Sequence, residues 1–228
     1  MSNTASLRER DASARKDRLL LAAMQVFAKD GFEKASLRQI CLKARANLAA
    51  VKYYFGSKEG LYREVLVESH RRALAQESPV VMIPGEKPEI TLRRWISFCL
   101  RFVLLKRASN PVIGQLMAHE MRQPTACLGE FLKLVVRPFH EELHRIIAAV
   151  LRKTAVDEEC AMLAHHIIGL CVHFDHGRAI IDRLGPPVPK TEADIEQLAS
   201  GIADFVLHAL TGLRRSAQQR AEKSPSLS

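Results

Sequence analysis

Strand-like alternation is missing from this chain. No stretch keeps a period of two for long, which argues against a sheet and leaves helix as the repeating element. Also missing is any apolar run long enough to span a membrane. The N-terminus is polar and charged, unlike a secretory signal. The five cysteines, at positions 41, 99, 127, 160 and 171, are odd in number and form no CxxC. Most fall within apolar helical patterns, so the expectation is reduced, buried thiols in a cytoplasmic protein. There is no Gly-rich phosphate loop, no nucleophile–base set and no converging metal motif, which speaks against an enzyme and implies neither cofactor nor metal.

What is present is a basic charge with a particular placement. The formal net charge is +9. Residues 1–77 hold 15 Lys and Arg against 9 Asp and Glu, residues 78–212 hold 15 of each, and residues 213–228 hold 4 against 1. The excess thus lies wholly in the first third and the tail. A neutral middle beside a basic end points to a polyanion at that end alone, where a merely soluble surface would spread its charge.

Proline and glycine punctuate a helical pattern. A helix from about 15 carries Leu19, Ala22, Ala23, Val26 and Phe27 on one face and stops at Asp30-Gly31. Residues 1–13 read as frayed. Ser36 caps a short helix over 37–44, Asn47 caps a second over 48–54, and Ser57 caps a longer one reaching about 76. Three prolines and a glycine mark 78–88 as a linker. Helices then follow over 89–107, 112–121, 126–153, 157–184 and 192–213, with Pro138 expected to kink or split the third. The domain reading is 1–77, 78–213 and a disordered basic tail, 214–228.

Three helices in about 40 residues, two of them very short, fit a helix-turn-helix whose third helix is the reading helix. Ile40, Ala44, Val51 and Phe55 supply the apolar contacts within it. The runs Phe27–Ile40 and Ala46–Tyr62, with the stretch YYFGSKEGLY the most diagnostic part, resemble the DNA-binding signature of TetR/AcrR transcriptional regulators. The match spans roughly 15–66. Asn47–Ala50 and the run RQPTACLGEF also resemble the branch of that family with a CecR-type C-terminal domain.

The resemblance implies an all-α fold, an N-terminal three-helix DNA-binding domain followed by a C-terminal helical bundle for ligand binding and dimerisation. It implies that Ser36 and Arg38 meet phosphates, that Asn47, Leu48, Ala49, Ala50 and Lys52 face the groove, that Tyr53 and Tyr54 reach the backbone, and that Lys58 clamps a further phosphate. Helix N-termini at Ser36, Asn47 and Ser57 suit phosphate oxygens independently. The neighbourhood of Tyr53 and Tyr54 favours one ring packing inward and one outward. Two departures stand out. Arg45 occupies a turn position where the family usually has Gly; at positive φ this costs about 1 kcal/mol, while adding a charge beside DNA. Lys52 and Tyr54 stand where an aromatic and a His are frequent.

The implied partners are a double-stranded, palindromic DNA operator, a small-molecule effector and a second copy of the chain, with no membrane. Trp95, Phe98, Phe102, Met117, Met121, Phe131 and Phe174 are candidates for an effector pocket, although core packing explains any one of them. The stripe on the last helix, with Ile202, Phe205, Val206 and Ala209, is wider than one intrachain neighbour needs. Together with Leu163, Ile167, Leu170 and Phe174 it is the candidate dimer interface. His173 and His176 lack a converging third ligand, and His119-Glu120 lacks the second His of a zincin. The rival reading is a helical adaptor that binds protein and does not read DNA.

Overall fold

A computed structural model describes residues 2–75, 80–106 and 110–223. Among these there is no strand. The helices are α1 (Ser2–Lys34), α2 (Leu37–Ala44), α3 (Leu48–Phe55), α4 (Lys58–Leu74), α5 (Pro88–Arg101), α6 (Pro111–Arg122), α7 (Leu128–Phe131), α8 (Arg137–Leu151), α9 (Glu158–His176), α10 (Arg178–Leu184) and α11 (Glu192–Lys223). Single π-helical turns occupy Phe102–Lys106 and Leu132–Val136. The expected helix ends at 76 and 107, residues 78 and 79 of the expected linker, and residues 224–228 of the expected tail lie outside the described residues.

The chain divides into two compact units, Met1–Gln76 with Asn110–Arg137, and Glu77–Ser109 with Pro138–Ser228. The first is larger than the domain read from the sequence, because α6, α7 and the π turn after them pack with the N-terminal helices. Its core joins Leu19, Ala23 and Phe27 of α1, Ile40 of α2, Val51 of α3 and Leu61, Tyr62, Val65 and Leu66 of α4 to Leu116 and Phe131. Each large aliphatic or aromatic side chain so buried stabilises the unit by about 1.5–3 kcal/mol. The helical course of α1 is interrupted at Gly31, whose φ is 73°. Glycine is needed there twice over, since a Cβ would also lie 3.0 Å from the His119 ring of α6. That ring is fixed by Nε2–H donating to the Ala28 carbonyl at 3.0 Å and Nδ1 accepting from Arg122 at 3.2 Å, roles that fit the neutral tautomer.

The second unit is built on α5 and α11, with α9 against α5. Leu92, Trp95, Ile96 and Leu100 meet Ile195, Ala199, Ala203, Val206 and Leu210, and Leu143, Ile146, Ile147, Ile167 and Cys171 complete the core. Arg93 pairs with Asp204, and Arg101 with Glu196. Buried Glu142 holds the segment after 80 onto α8: it accepts from the Met82 N–H at 2.7 Å and from Arg145 at 2.6 Å.

The split expected at Pro138 occurs: the 126–153 pattern divides into α7, a π turn over Leu132–Val136 and α8, with Pro138 in the first turn of α8, where its missing N–H costs least. Three other sequence expectations are corrected. The 157–184 helix divides at Gly177, where the backbone packs so tightly that a Cβ would sit 2.8 Å from the His173 carbonyl. The last helix does not end at 213 but continues to Lys223, so much of the expected disordered tail is helical; likewise α1 begins at Ser2 rather than near 15.

Candidate nucleic-acid interface

Local chemistry places α2 and α3. The Ser36 hydroxyl accepts from the Arg38 N–H at 3.2 Å while the Gln39 side chain accepts from the Ser36 N–H at 3.2 Å, a reciprocal capping box. Asn47 Oδ1 accepts from the Ala50 N–H at 2.9 Å, and the Ser57 hydroxyl from the Gly60 N–H at 3.1 Å. Three helix N-termini are thereby set within 22 residues of chain, each with remaining amides directed off its end. Arg45 closes α2 in the left-handed region, φ 51° and ψ 48°.

Exposure sorts the candidate residues. Arg38, Arg45, Asn47, Leu48, Ala49 and Lys52 are exposed, and Tyr53 is 82% exposed. On α3 the spacing pairs Leu48 with Lys52 and Ala49 with Tyr53 along one side, while Val51 is buried in the core. Four candidates behave otherwise. Ala50 and Tyr54 are half-buried against the core of the unit, so Tyr54 is the inward ring and Tyr53, 4.9 Å from it, the outward one. Lys58 is half-buried, donates to the Glu33 carbonyl at 3.2 Å and sits 4.7 Å from the Phe32 ring, which makes it a brace within the unit. Ser36 is half-buried and engaged in its cap.

The electrostatics are one-sided. From Ser36 to Lys58 the chain carries Arg38, Lys43, Arg45, Lys52 and Lys58 and not one Asp or Glu. Lys43, absent from the sequence-derived candidates, is exposed and lines a groove of about 350 Å³ with Arg18 and Arg45. The acid-free run was the signal that would have found it. A surface of exposed cations, free amides and one outward tyrosine, with no carboxylate between, suits a phosphate backbone.

The profile of bacterial regulatory proteins of the tetR family matches residues 19–65, and that of the C-terminal domain of the HTH-type transcriptional dual regulator CecR matches residues 88–210. The chain belongs to the TetR family, with a CecR-type C-terminal domain. Among relatives of this TetR-family chain, the HTH-type transcriptional dual regulator CecR of Shigella flexneri is 29% identical over 86% of this chain and 92% of its own length. The HTH-type transcriptional repressor NicS of Pseudomonas putida is 29% identical over 92% of this chain and 97% of its own. The solved structure of HlyIIR, a hemolysin II transcriptional regulator, has the same fold, with a TM-score of 0.58 at 22% identity over 83% of this chain and 97% of its own. The TetR-family chain is therefore a DNA-binding transcriptional regulator.

The remaining candidates fall in both units. Met117, Met121 and Phe131 belong to the first, where Met117 packs against the core, Phe131 is wholly buried in it and Met121 is 61% exposed. Trp95, Phe98, Phe102 and Phe174 belong to the second. The seven thus divide between the two units. Phe98 stacks on Phe139 at 5.6 Å, and Trp95 Nε1 is buried with no hydrogen-bond partner among the described residues. The eight candidate interface residues do share a place. Leu163, Leu170, Phe174, Phe205 and Ala209 line an apolar groove of about 730 Å³ over Ile167 and Val206, which are buried, and Ile202 continues it. Among the described residues no group of three His, Cys, Asp or Glu is placed to hold a metal, and no helix is long and apolar enough to cross a membrane.

Proposed function

We propose that this regulator is a repressor. It binds a palindromic operator as a homodimer through Arg38, Arg45, Asn47, Leu48, Ala49, Lys52 and Tyr53, and a small effector bound within the second unit releases it. The observation that carries the reading is the exposed, carboxylate-free surface of α2 and α3. NicS, similar over nearly its whole length, is named a repressor, which favours that direction of control. The apolar face of α9 and α11, with Phe205 66% exposed, favours pairing with a second copy. Two recognition helices about one DNA turn apart then meet two half-sites.

In this reading the effector binds among α5, α8 and α9 of the second unit. Trp95 Nε1, a buried donor on α5, favours an effector that carries a carbonyl, ether or carboxylate oxygen. A ligand releases DNA only by binding the non-DNA conformation more tightly. Selection of bound sequences from random DNA, repeated with a panel of small molecules, tests the whole reading. Enrichment of an inverted repeat, lost when one compound is added, is the expected result. No enriched sequence would leave the protein-binding adaptor as the better account.

A further inference from the structure

Glu120, on α6, is 1% exposed. Its carboxylate accepts from the Tyr62 hydroxyl at 2.8 Å, the Thr125 hydroxyl at 2.9 Å and the Thr125 N–H at 3.0 Å. No cation pairs with it among the described residues. A buried carboxylate held only by neutral donors is a costly way to fill space, and a Leu or Met of similar size would pack there without the desolvation penalty. What the carboxylate adds is direction, since it fixes one hydroxyl and one turn.

The fixed hydroxyl belongs to α4. Tyr62 is wholly buried, with Phe27 at 4.8 Å and Phe32 at 5.0 Å around its ring. Two more contacts tie the first turns of α4 to the same stretch, Cys127 Sγ–H to the Glu59 carbonyl at 3.4 Å and Arg63 to Glu130 at 3.1 Å. From α4 the constraint passes to α3. A Cβ at Gly60 would lie 2.0 Å from the Phe55 carbonyl oxygen, so the first turn of α4 presses directly on the last residue of α3.

We propose that Glu120 is a positioning residue for DNA recognition, setting the aim of α3 through Tyr62 and the first turn of α4. This rests on α3 being the reading helix. Tyr62 lies in the stretch matched by the tetR-family profile and Glu120 in that matched by the CecR C-terminal profile, so neither profile alone contains the bond.

The test uses the full chain and the operator obtained by selection. Glu120→Met removes the acceptors, Tyr62→Phe removes one hydroxyl, and Glu120→Gln keeps one amide oxygen that can accept from the Tyr62 hydroxyl. Thermal melts choose a temperature at which each variant is folded. Operator affinity falls about tenfold in Glu120→Met and Tyr62→Phe and stays within about threefold of wild type in Glu120→Gln, as loss of a buried directional bond predicts. Amide exchange quickens in 48–62 and 125–127 and not in the second unit. Folded Met and Phe variants that bind within about twofold of wild type, or exchange that quickens evenly through the first unit, would overturn the assignment. If Glu120→Met does not fold, Tyr62→Phe alone decides. Wild-type protein that selects no sequence contradicts the reading helix itself and this inference with it, whereas tight wild-type binding with unaffected variants contradicts only the role of Glu120.

Discussion

Arg45 holds a backbone conformation that suits glycine, φ 51° and ψ 48°, at the end of α2. The side chain adds a cation beside Lys43 and Arg18. Strain and charge are separable by Arg45→Gly. The variant is expected to melt higher, by relief of about 1 kcal/mol, and to bind operator more weakly with a shallower salt dependence. A variant that melts higher and binds unchanged would remove Arg45 from the interface. A second residue-scale expectation concerns pH. His140 lies 5.8 Å from His165 and 6.3 Å from His144, ring to ring. Burial first, and then the charge of His165, lower the pKa of both His140 and His144; around His144 the Glu141 carboxylate opposes this and Arg145 adds to it. As pH falls, the unfolded chain therefore takes up protons before the folded one. The stability held above the unfolded value, about 6.5, declines as pH falls through it toward the lowered folded values. Melts at about pH 8 and about pH 5.5 should show the loss, and His140→Gln with His144→Gln should reduce it. Equal loss in the double variant would place the acid sensitivity elsewhere.

Helices declare themselves in sequence when their ends are chemically marked. Ser36, Asn47 and Ser57 each predict a cap, and each makes one. Asp30-Gly31 predicts a stop, and the chain turns at Gly31. The exposed side of α3 was legible for Lys52 and Tyr53 because helical spacing around buried Val51 fixes it. It was not legible for Lys58, whose partners are the Glu33 carbonyl and the Phe32 ring some 25 residues away in chain. Nor did the sequence reveal that α6 packs with the N-terminal helices. Its tie is a buried carboxylate bonded across the 58 residues from Tyr62 to Glu120, and such a contact leaves no local pattern. The stop at 213 failed for a related reason, since a polar face without a breaker allows a helix to continue. Element geometry also gives a prediction. Gly60→Ala places a methyl against the Phe55 carbonyl, where backbone cannot give way cheaply. Operator binding should be lost and the melt lowered by more than the half kilocalorie, about 0.5 kcal/mol, typical of a surface change. A well-folded, binding-competent Ala variant would show that α3 and α4 are less tightly joined than the geometry implies.

At the scale of the molecule, the second unit carries an apolar face on α9 and α11. Phe205 is 66% exposed beside a groove floored by Ile167 and Val206. A stable two-fold interface there buries well over ~1,200 Å² in total. Phe205→Glu puts an unpaired carboxylate into that seam, where burial is strongly unfavourable. Sedimentation should show monomer, with operator affinity reduced although α2 and α3 are untouched; a Glu variant that remains dimeric would move the interface elsewhere. The central claim, that the acid-free surface of α2 and α3 reads DNA, is tested most directly by operator affinity measured across a salt series for wild type, Arg38→Ala, Lys52→Ala and Tyr53→Phe. Wild-type affinity should fall linearly with salt on logarithmic axes, and Arg38→Ala should reduce the slope by about one. Lys52→Ala and Tyr53→Phe should weaken binding while leaving the melt within about 0.5 kcal/mol of wild type. Affinity that ignores salt, or is unchanged in all three variants, would contradict the claim.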